Sequence, residues 1–70
     1  MDPITIKNLR RAHGLTQTKF AALLRMSDRR TVRRWEEGAV EVSGPVSILL
    51  EMLANGELPA RFIAAAHAEP

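Results

Sequence analysis

LTQTKFAALLRMSDRRTVRRWEEG, residues 15–38, holds two helical patterns separated by a break, and the fold turns on how that break is read. Thr16 offers a hydroxyl to the free N–H groups of a helix start, and Phe20, Ala21, Leu23 and Leu24 then return at helical spacing. Arg25-Met26-Ser27-Asp28 interrupts the pattern. Asp28 or Ser27 can cap a further helix running from about Arg29 to Glu37, which Gly38 ends by adopting the left-handed conformation that other residues resist.

With residues placed at about 100° intervals from Arg29, Val32 and Trp35 fall near roughly 300° and 240°, on one side of this helix. Arg29, Arg30, Arg33 and Arg34 occupy the arc between roughly 0° and 140°, with Arg30 and Arg33 nearest its centre. Two large apolar groups thus anchor the helix while four guanidinium groups face outward. A solvated helix face ordinarily mixes signs, whereas adjacent like charges cost a few tenths of a kcal/mol per pair and call for an external anion. A helix of this width fits the DNA major groove, where Arg makes bidentate hydrogen bonds to guanine. Glu36 and Glu37 follow at the C-terminal end, where carboxylates sit badly with the helix dipole.

Outward from this stretch, Asp2-Pro3 followed by Ile4, Ile6 and Leu9 reads as a helix closed by Gly14. Ala39 to Ser43 reads as a loop, and Gly44-Pro45 opens a fourth helix lasting to Asn55-Gly56. Its apolar residues, Val46, Ile48, Leu49, Leu50, Met52 and Leu53, surround most of its circumference, more than one buried face requires. The segment from Pro59 to about Ala68 reads either as a short fifth helix or as a fraying tail. The expected architecture is all-α, a bundle of four to five helices, with residues 1–56 as one domain and 57–70 as a C-terminal helical segment.

A chain of 70 residues buries only about 60% of its unfolded surface, and without cysteine no disulfide or thiolate zinc site reinforces it. Docking against a second copy is the expected reinforcement. The formal charge of +2 carries little information, but its distribution does: five arginines and one acid lie between Arg25 and Arg34, and from Glu36 to Glu57 there are acids and no base. The N-terminus has no signal-peptide pattern and no apolar run is long enough to span a membrane, so a cytoplasmic location is expected.

The Leu15-Thr16-Gln17 opening, the Phe20-Ala21 pair and the Trp35-Glu36-Glu37-Gly38 ending together resemble the Cro/repressor-type helix-turn-helix family, also called xenobiotic-response-element-like regulators. The resemblance covers roughly residues 4 to 55 and implies a lambda-repressor-like fold whose second motif helix enters the major groove of double-stranded DNA. It implies that Gln17 touches phosphate and that Arg29, Arg30, Arg33 and Arg34 occupy base- and phosphate-contacting positions. Two departures stand out. Arg25 occupies the turn position where the family usually has glycine, and one extra residue lies between Ser27 and Thr31. The enlarged turn leaves open whether Arg29 or Arg30 is the first recognition residue, and whether Ser27 or Asp28 caps the helix or contacts DNA. Small stand-alone members of the family, from phages, mobile elements and bacterial operons, commonly repress their own operon, and the subset associated with anti-CRISPR genes fits this size.

The expected form is a homodimer on an inverted-repeat operator, joined through Ile48, Leu49, Met52 and Leu53. Phe62 and Ile63 either cap that surface within one chain or reach across to the other, and the second option is favoured. His13 and His67 have no carboxylate or cysteine at ligand spacing, so neither a metal nor a catalytic role is expected, and no cofactor or small-molecule ligand is implied. Trp35 on the inward face reads as core rather than as a base-stacking residue, and Met26 and Met52 read as core gap-fillers. The competing function is an antitoxin-like interaction module whose basic helix binds an acidic protein.

Overall fold

Each helix begins where the sequence supplies a cap or a proline. In the computed structural model, which describes residues 1–69, α1 (Pro3–Ala12) starts with Pro3 in its first turn and with Asp2 accepting from the Thr5 N–H at 2.9 Å. Thr16 caps α2 (Gln17–Leu23) by accepting from the Lys19 N–H at 3.1 Å. Asp28 caps α3 (Arg29–Glu36), accepting from the Arg30 N–H at 2.9 Å, which leaves Ser27 exposed just outside the helix. Gly44 and Pro45 open α4 (Gly44–Ala54), and the segment after Pro59 is helical as α5 (Ala60–His67). Gly14, Gly38 and Gly56, which end α1, α3 and α4, all have positive φ.

The described residues form five helices and no strand, a lambda-repressor-like all-α arrangement. α2 packs against α3 and α5, and α1 packs against α3. Between them lies one apolar core in which Ile6, Phe20, Val32, Leu50 and Leu53 are essentially fully buried. Such burial stabilises by about 1.5–3 kcal/mol per side chain. Trp35 is 4% exposed and belongs to this core, and half-buried Met26 packs against it. Ala66 of α5 is also buried there, so the C-terminal helix shares the core of the other four.

The break between α2 and α3 is a true left-handed turn. Arg25 has φ 60°, and among the described residues it alone combines a side chain with a positive φ. An L-residue in that conformation costs about 1–2 kcal/mol. The Arg25 guanidinium lies 5.8 Å from the centre of the Phe62 ring, and Arg61 stands 5.1 Å from the same ring. A cation over an aromatic face contributes roughly 0.5–1 kcal/mol at an exposed site, so Phe62 offsets part of the cost.

Candidate nucleic-acid interface

The helix that carries the arginines is held to α1 by a part-buried ion pair. Arg10 of α1 donates through Nε to Glu36 Oε2 at 2.7 Å and through Nη2 to Oε1 at 3.1 Å, and its Nη1 reaches the Leu15 carbonyl at 3.0 Å. Gln17, the first residue of α2, donates from Nε2 to Glu36 Oε1 at 3.2 Å. One carboxylate therefore ties α1, α2 and α3 together with its side chain only 4% exposed. Burial pushes the Glu36 carboxyl up, but hydrogen bonds from Arg10 and Gln17 and the charges of Arg10 and Lys7 outweigh it. The group is held below its ordinary value.

Gln17 is thus oriented before any ligand arrives. An amide nitrogen has two N–H groups, and with one spent on Glu36 the other remains to meet an acceptor such as a phosphate oxygen.

In front of this support, Gln17, Asp28, Arg29, Arg30 and Arg33 line an open, mainly polar groove of about 590 Å³. Arg34 is exposed on the same helix but does not line the groove. Arg30 donates through Nε to both Asp28 oxygens, at 3.2 and 3.0 Å, and Arg33 Nε lies 3.4 Å from Glu37 one turn along. Both pairs are well exposed, where such contacts contribute about 0–1 kcal/mol. A phosphate therefore displaces the Arg33–Glu37 pair at little cost. Among the described residues, Arg29 and Arg34 have no ion-pair partner. The Asp28 carboxyl is held below its ordinary value, first by the Arg30 backbone N–H and then by the Arg30 side chain and the nearby Arg34 charge, against a small opposing effect of burial.

The structure brings Gln17, Arg29, Arg30 and Arg33 to one groove and seats Asp28 among them. Of the residues read as interface between copies, Ile48 is 60% exposed, and Leu49 and Met52 are half-buried. Leu53, 2% exposed, lies in the core of its own chain with almost no surface for a partner. Phe62 is half-buried, packs against that core and sits under Arg25 and Arg61 of the same chain.

Sequence reasoning missed Arg10 and the inward role of Glu36. A partial signal was available: on the wheel that places Val32 near roughly 300° and Arg29 at 0°, Glu36 falls near roughly 340°, at the boundary between the apolar and arginine arcs. A carboxylate there needs a buried cation.

No group of His, Cys, Asp and Glu able to hold a metal ion occurs among the described residues, and none of their helices is long and apolar enough to cross a membrane. His67 Nε2 meets the His13 carbonyl at 2.8 Å, joining α5 to the α1–α2 turn. No curated protein and no solved structure matches the chain. The model of the helix-turn-helix family matches residues 6–57, from within α1 to just beyond α4. Two helices joined across a tight turn, with the second exposed, form the arrangement that family uses on DNA, and the chain belongs to the helix-turn-helix family of DNA-binding transcriptional regulators.

Proposed function

We propose that this protein is a sequence-specific repressor that binds an inverted-repeat operator as a homodimer and controls its own operon. The observation that carries the reading is the groove in which Gln17, Arg29, Arg30 and Arg33 converge with four arginines displayed on α3. Bases are read by α3, and phosphates are met by Gln17 and by whichever arginines lie outside the base edges. Repression follows from occupancy of a promoter.

One recognition helix spans only a few base pairs, so discrimination among many genomic sites favours two copies related by a two-fold axis. The surface for the second copy is the outer line of α4. Pro45 and Ile48 are exposed there and Met52 is half-buried one turn on, with half-buried Leu49 beside them. Exposed Val40 extends apolar surface into the preceding loop. In such a dimer the two α3 helices stand about 34 Å apart to enter successive major grooves.

The test is a footprint on the DNA upstream of the protein's own gene, repeated at several salt concentrations. Protection of an inverted repeat, with affinity falling steeply as salt rises, supports the reading. Absence of protection there removes autoregulation, and retention without sequence preference removes the repressor.

A further inference from the structure

We infer that Asp28 is a specificity-determining positioning residue: it fixes the Arg30 guanidinium so that its two terminal amino groups face a guanine edge-on. This rests on the DNA-reading role proposed for α3. Asp28 makes two kinds of contact at once. One oxygen accepts from the Arg30 backbone N–H at 2.9 Å, which locks the carboxylate to the first turn of the helix. Both oxygens then accept from Arg30 Nε, at 3.2 and 3.0 Å.

The consequence follows from the shape of the guanidinium. Arg can present to a guanine either Nε with one terminal amino group or the two terminal amino groups together. Asp28 occupies Nε, so only the terminal pair is left, and that pair matches guanine O6 and N7 in the major groove. A long side chain otherwise free to sample many rotamers is biased toward one, so somewhat less conformational entropy is lost on binding. The carboxylate also lies inside the cationic groove, where it opposes phosphates drawn to the same arginines. It therefore weakens sequence-blind attachment while favouring one base. The carboxyl's depressed proton affinity keeps it charged at neutral pH.

The experiment is selection from a random double-stranded DNA library by the intact protein and by Asp28→Asn, Asp28→Ser and Arg30→Ala, with an unfolding midpoint for each. Asparagine and serine are good N-caps, so α3 keeps its start while the charge is lost. The expected result is that both Asp28 variants lose about two- to fivefold in preference for guanine, as an exposed contact allows, at one position of the half-site, the position that Arg30→Ala also relaxes. Affinity for random DNA rises, and the Asp28→Asn, Arg30→Ala double variant is no less selective there than Arg30→Ala. Three results overturn the inference while leaving the DNA-binding reading intact: Asp28 variants that keep the wild-type preference, which makes the residue a cap only; a change at a different position, which makes Asp28 itself a base reader; or higher affinity for all sequences with unaltered preference, which makes it a general repellent of phosphate. Failure of the wild-type protein to select any sequence takes down both readings.

Discussion

Arg10 and Glu36 stand 26 positions apart in sequence, yet their side chains form a two-pronged ion pair, 11% and 4% exposed, that ties α1 to the last residue of α3. Removing one member of this part-buried pair leaves the other's charge and hydrogen bonds without compensation, at a cost of about 1–3 kcal/mol. Glu36→Gln is therefore expected to lose a large share of the stability of so short a chain in a urea titration. Arg10→Met with Glu36→Leu together should lose much less, because no buried charge is left behind.

The same pair sets an acid limit. Because the folded carboxyl of Glu36 is held below its unfolded value, the pair stabilises fully above the unfolded range, near about pH 4.3. That contribution is lost as pH falls through the lower folded value. Unfolding midpoints should be level from pH 7 to pH 5 and then fall, and the fall should be shallower in the double variant. An identical acid profile in both proteins would show that Glu36 does not govern it.

Arg25 predicts an ordering of variants. Glycine adopts the left-handed conformation freely and alanine does not, and neither offers a cation to Phe62. Arg25→Gly should be more stable than Arg25→Ala by about 1 kcal/mol, measured by denaturant unfolding. Equal stabilities would mean that the turn relaxes away from φ 60°.

For the arginine face, Arg30→Ala and Arg33→Ala should each cost about 1–3 kcal/mol in operator affinity if the residue reads a base, or lower the salt slope by about one if it meets phosphate. Gln17→Ala should weaken binding to all sequences alike. Competition binding at two salt concentrations separates these cases. Unchanged affinity in a folded Arg30→Ala, Arg33→Ala double variant would remove α3 from the interface.

On α4 the exposures separate association from folding. Ile48 is 60% exposed, so Ile48→Glu should leave the fold intact, within about 0.5 kcal/mol for a surface change, while abolishing association. Met52→Glu and Leu49→Glu should lose association and some stability, since both are half-buried. Leu53→Glu should simply unfold the chain, its side chain lying in the core. Sedimentation alongside circular dichroism distinguishes these outcomes. An Ile48→Glu protein that still forms dimers would place the contact elsewhere.

What was legible in the sequence was local. Pro3 in a first turn, caps at Thr16 and at Asp28 or Ser27, and the glycines at helix ends are written in neighbouring residues and fix where helices start and stop. The wheel of α3 separated Val32 and Trp35 from the arginines because its two faces differ so sharply. Arg25 was recognisable as occupying the turn position. The relationships that were not legible join distant segments. Glu36 was read through the helix dipole alone, because its partner lies in α1. α4 is apolar nearly all round, so periodicity could not tell buried Leu53 from exposed Ile48. The seat of Phe62 against its own chain depends on α5 packing on α2, which no local spacing encodes.

The central claim, that α3 reads operator sequence and that two copies read it together, is tested most directly by selection from a random double-stranded DNA library. Affinities for the selected full site and its isolated half-site are then compared at two salt concentrations. The account predicts an inverted repeat whose half-site centres lie about 34 Å apart, bound far more tightly than the half-site and lost on Arg30→Ala, Arg33→Ala substitution. A library that stays unselected, with retention that is sequence-blind and vanishes with salt, would contradict it.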